Sequence, residues 1–109
     1  MYLIGFKRNI NAVMNTEFFI SLTLLTPEGP QSFARFTLGE DKQYAVSVFN
    51  SLQGTTESDS PGVLQLEFTE LSNGLPVNIK LKDCTLEELS WNCKYLTKEA
   101  FKRAGMNDR

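Results

Sequence analysis

The chain contains no histidine. That absence removes Ser-His-Asp and Cys-His nucleophilic catalysis and every His-ligated metal site. Cysteine is scarce: Cys84 and Cys93 are the only two. Two thiols cannot make a four-thiolate zinc site, and small disulfide scaffolds are far richer in cysteine. There is no glycine-rich phosphate loop and no dinucleotide fingerprint. No apolar run approaches the roughly 20 residues of a membrane-spanning helix. The start, Met1 to Arg8, places its charges after a short apolar run, the reverse of a secretory signal. These features predict a cytoplasmic protein with reduced thiols, no cofactor and no membrane partner.

An excess of positive charge is also lacking. Net charge is −2 and the sequence pI is near 5.1, which argues against nucleic acid as the partner: binding it draws on surplus Lys and Arg to displace counterions. The balance is uneven, however. Residues 1–77 carry four basic and eight acidic side chains, whereas residues 78–109 carry seven basic and five acidic.

What is present is enough for a folded domain. Hydrophobic residues make up 41% of 109, ordinary for a globular protein. The length predicts a single α+β domain spanning 1–109, with no need of a metal or disulfides to hold it.

Hydrophobic spacing predicts the elements. Tyr2, Ile4 and Phe6 alternate weakly and suggest a short first strand, followed by an Asn-rich loop. Residues 16–26 mix Phe18, Phe19, Ile20, Leu22, Leu24 and Leu25 with Ser and Thr, the composition of a strand. Pro27-Glu28-Gly29-Pro30 turns the chain, and residues 31–38 return as the second arm of a hairpin. Ala45, Val48, Phe49 and Leu52 share one helical face, predicting a helix over 40–53 with Glu40 and Asp41 at its N-terminus and Gly54 as a left-handed cap. A polar loop follows over 55–62. Leu64, Leu66 and Phe68 alternate with polar residues. Asn73-Gly74 marks a tight turn, and Val77, Ile79 and Leu81 then alternate with Asn78, Lys80 and Lys82, so a second hairpin is expected. Residues 85–96 carry two conflicting signals. Thr85 to Glu88 matches a helical capping box, while Leu89, Trp91, Cys93 and Tyr95 alternate as in a strand. The longer alternation favours a strand over 88–96, with a short helix over 98–104 capped by Thr97. The expected fold is a mainly antiparallel five- or six-stranded sheet in the order (β)ββαβββα, with the main helix on one face.

No residue set points to catalysis. Asp83 beside Cys84 opposes thiolate formation. The adjacent carboxylates Glu40/Asp41 and Glu87/Glu88 do not converge as a catalytic pair must. The informative feature is the first hairpin, whose apolar residues occupy both faces. Phe18, Ile20, Leu22 and Leu24 fall on one face. Phe19 and Leu25 fall on the other, with Phe33 joining from the returning strand. That second surface requires a cover: either the C-terminal helix or another chain. The expectation is a non-enzymatic interaction module, either a homo-oligomer or a subunit of a larger assembly, contacting its partner through Phe19, Leu25 and Phe33. The alternative is a small-ligand binder or an enzyme with an unconventional His-free site between helix and sheet, drawing on Arg35, Tyr44 and Trp91.

Overall fold

The computed structural model describes residues 15–56 and 62–106. The expected first strand over 2–8 lies outside them, as does most of the polar loop. The described chain is α+β: β1 (Thr16–Thr26), β2 (Gly29–Gly39), α1 (Lys42–Ser51), β3 (Leu64–Ser72), β4 (Leu75–Cys84) and α2 (Leu86–Arg103). The four strands form one antiparallel sheet in the order β2-β1-β3-β4.

Both hairpins form, but the first closes over two residues, Pro27 and Glu28, and not the four expected, because Gly29 and Pro30 already pair with Thr26 and Leu25 as the start of β2. Gly29 takes a φ of +118° after Pro27-Glu28. Thr26 Oγ1 fastens that turn, donating to the Gly29 carbonyl at 2.7 Å and accepting from the Glu28 N–H at 3.2 Å. Asn73 and Gly74 both adopt positive φ, 53° and 84°, the signature of a two-residue turn whose twist matches the strands it joins. Helix α1 begins two residues later than spacing suggested, because Asp41 is its N-cap and accepts from the N–H groups of Gln43 and Tyr44.

The core lies on one side of the sheet. Phe18, Ile20 and Leu22 from β1 and Leu66 and Phe68 from β3 are buried there, against Ala45, Val48, Phe49 and Leu52 of α1 and Leu96 of α2. The Phe68 ring lies 5.3 Å from that of Phe49 and 5.9 Å from that of Phe18. Each such side chain, fully buried, contributes about 1.5–3 kcal/mol. Both helices therefore cover the same face.

Three expectations change. The strand over 88–96 and the separate helix over 98–104 are one continuous helix, α2. The sheet thus has four described strands instead of five or six. The capping box decides the matter: Thr85 Oγ1 accepts from the Glu88 N–H at 3.1 Å, and Glu88 Oε1 accepts from the Thr85 N–H at 2.9 Å. Leu89, Asn92, Cys93 and Leu96 form the inward stripe, at the i, i+3, i+4, i+7 spacing of a helix. Thr97 sits inside α2 and donates its hydroxyl to the Cys93 carbonyl at 2.8 Å. Gly105, with φ +75°, closes the helix.

The faces of β4 are the second change, since the alternation of Val77, Ile79 and Leu81 with Asn78, Lys80 and Lys82 predicts the lysines on a polar face. Lys82 pairs with Leu66 and Lys80 with Phe68, and paired residues share a face. The lysines therefore lie on the helix side, and Ile79 and Leu81 on the other. Lys82 is buried, with its Nζ donating to the carbonyls of Phe49 at 2.6 Å and Leu52 at 2.8 Å. This arrangement alters the third expectation, the cap at Gly54. Helix α1 ends at Leu52 in extended backbone, and Lys82 satisfies carbonyls at its C-terminal end, where a cation is also favoured by the helix dipole.

Candidate interaction surface

The pleat carries every second residue of the sheet to the face away from the helices. Register places Phe19 beside Thr69 and Ile79, and Ser21 beside Arg35, Glu67 and Leu81. Among the described elements, none packs on this face. Helix α2, one of the two covers the sequence allowed for it, lies on the opposite side. Ile79 and Leu81 keep 51% and 48% of their surface exposed. Ser21, Thr23 and Thr69 form a buried polar floor between the apolar flanks.

The hairpin residues singled out by sequence lie along this surface and its edge. Phe19 and Leu25 are half-buried. The Arg35 guanidinium lies 3.9 Å from the centre of the Phe19 ring, a distance at which a cation is attracted to the ring face. Phe33 is the extra residue of a bulge in β2, where Leu22 pairs with Ala34 and Thr23 with Ser32. It is half exposed. Val77 is its counterpart in β4, the extra residue between the pairs Glu70–Asn78 and Leu71–Pro76, and it too is exposed. Each edge strand thus carries a bulge with an apolar residue at its tip. Bulges bend an edge and discourage indiscriminate strand pairing. The far end of β4 is closed differently: Thr55 and Asp83 exchange two backbone hydrogen bonds, both 2.9 Å. Such devices shield the sheet edges.

The structure does not bring Arg35, Tyr44 and Trp91 to one place. Arg35 is on the face opposite α1 and α2. Tyr44 lies between the helices, donating its hydroxyl to Glu99 Oε1 at 2.9 Å, with the Arg103 guanidinium 5.9 Å from its ring centre. Burial, reinforced by Glu99, pushes the Tyr44 hydroxyl up to about 12. Trp91 is on the outer side of α2. The space between α1 and the sheet is occupied by the packed Phe rings.

Helix α2 reveals a second feature that the strand reading concealed. Trp91 and Tyr95 stack with rings 10° from parallel and centres 5.3 Å apart. With Lys94 and Lys98 they line a groove of about 150 Å³. On a strand these lysines would face away from the aromatics; on a helix, positions 91, 94, 95 and 98 share a side. The capping box was the signal that could have found it.

Neither cysteine has the environment of a nucleophile. Burial first, then the charges of Glu88 and Asp83, pushes the Cys84 thiol up to about 11, and burial raises that of Cys93. Among the described residues no group of three Cys, Asp or Glu side chains is placed to hold a metal ion. No described helix is long and apolar enough to cross a membrane. The chain matches no family model, no curated protein and no solved structure.

Proposed function

We propose that this chain is a non-enzymatic interaction module that receives a protein partner, a second copy of itself included, on the sheet face opposite its helices. The observation that carries the reading is the exposure of Ile79 and Leu81 on a face where no described element packs. Phe19, Leu25 and Phe33 extend the same surface towards the other edge of the sheet. Patches of this kind, with a polar rim, mark association sites on soluble proteins. Arg35 and Glu67 supply opposite charges on either side of Ser21, which would fix the orientation of a partner more than its affinity.

Light scattering over a range of concentrations tests self-association. A mass above that of one chain, reverting to one chain in Leu81→Glu, supports the reading. Mass of a single chain at every concentration, with Phe19→Ser changing neither mass nor solubility, removes the homo-oligomer version. A heterologous partner then has to be lost on Leu81→Glu for the surface to stand.

A further inference from the structure

The groove on α2 is chemically distinct from the sheet face and independent of it. Its floor is apolar, formed by the stacked Trp91 and Tyr95, and Trp91 retains 42% exposure. Its other lining residues, Lys94 and Lys98, lie three and seven residues beyond Trp91, one and two helical turns along. Glu87 stands one turn before Trp91, so the local potential becomes more positive towards Lys94. Lys94 makes no ion pair among the described residues, while Lys98 already has a partner.

Size and charge together limit what fits. A cavity of roughly 150 Å³ holds one benzene-sized ring, whereas drug-sized ligands occupy about 300–1,000 Å³. A cationic ring would be repelled by the lysines, and a neutral one would gain stacking alone. A ring bearing an anion gains both. An extended nucleic-acid strand needs a longer basic track than one lysine-flanked notch, and the chain as a whole is acidic.

We propose that the groove binds a planar aromatic anion: one ring stacked on Trp91, with its phosphate or carboxylate set against Lys94. Stacking plus one exposed ion pair is a weak combination, so a dissociation constant on the order of 1 mM is expected.

Trp91 is the only tryptophan, so its indole N–H gives a single unambiguous NMR signal on the intact chain. Titration with phenyl phosphate is expected to move that signal saturably. Phenol is expected to bind about threefold more weakly or worse, and inorganic phosphate to produce no saturable shift. Lys94→Glu, an exposed substitution that keeps the reporter, is expected to weaken phenyl phosphate by about threefold or more and leave phenol unchanged. Equal binding of phenol and phenyl phosphate, no saturable shift, or no effect of Lys94→Glu would overturn the proposal. So would tighter binding of a single-stranded oligothymidylate, which would indicate a strand-binding surface.

Discussion

Asn92 and the main chain of Gln53 exchange two hydrogen bonds: Asn92 Nδ2 donates to the carbonyl at 2.9 Å, and the Gln53 N–H donates to Asn92 Oδ1 at 2.8 Å. Asn92 is fully buried. A buried amide is tolerated only when its donors and acceptors are matched, and here the match ties α2 to the segment leaving α1.

Asn92→Ala is therefore expected to destabilise the fold by about 1–3 kcal/mol, from the lost bonds and the polar groups left behind. Asn92→Asp keeps the shape but faces an acceptor towards the Gln53 carbonyl, and should cost at least as much near neutral pH. Urea denaturation of the two variants measures both.

Lys82→Met keeps most of the buried stem and removes the two bonds to the Phe49 and Leu52 carbonyls. It also removes the ammonium, whose Nζ lies 4.6 Å from the centre of the Phe49 ring. The expected loss is about 1–3 kcal/mol. It should be accompanied by fraying at the C-terminal end of α1, read as faster amide exchange near Phe49 to Leu52.

The alkaline limb of stability should separate two opposed groups. The Cys84 thiol is raised from 9.0 to about 11 in the fold. Between those values the unfolded chain gives up the proton first, so stability falls as pH rises. Burial lowers the Lys82 pKa from 10.5. There the unfolded chain holds its proton more tightly, so stability rises with pH up to that value. Cys84→Ala should flatten the alkaline decline, and Lys82→Met should steepen it. Thermal melts from pH 9 to 11 read the difference.

Gly54 and Gly62 offer a matched pair of substitutions. A Cβ at Gly54 would stand 2.6 Å from the Asp83 carbonyl oxygen, at a φ of +151°. Gly54→Ala is expected to cost about 1–3 kcal/mol and to break the exchange between Thr55 and Asp83. At Gly62 the nearest atom is Asp83 Cβ at 3.5 Å, an ordinary contact, and Gly62→Ala should stay within about 0.5 kcal/mol of the parent. Chemical denaturation distinguishes the two.

The hairpins and α1 were legible because their signals were local: a Pro-Gly turn, an Asn-Gly turn, and four apolar residues at helical spacing. Helix α2 was not, because its inward stripe contains Asn92. Scored as polar, Asn92 interrupts the helical period, while Leu89, Trp91, Cys93 and Tyr95 mimic a strand. What makes Asn92 an interior residue is Gln53, 39 positions away, and no window along the chain contains both. Lys82 misled for a similar reason. Its long stem can lie in an apolar layer if its charge finds acceptors, and those acceptors belong to α1. The second face of the first hairpin was visible in Phe19, Leu25 and Phe33. The α2 groove stayed hidden with the helix that builds it.

The sheet is two hairpins joined along one seam, β1 against β3. Each hairpin closes over a two-residue turn and can form locally, but the seam brings together residues such as Phe18 and Glu70 across 52 positions of chain. Loop-closure entropy has to be spent before that pairing returns any burial. The rate at which this chain folds should thus be governed by how quickly two preformed ribbons find each other's central strand. The fully buried row of Phe18, Ile20, Leu22, Leu66 and Phe68 would then serve as the kinetic latch of the molecule as well as its interior.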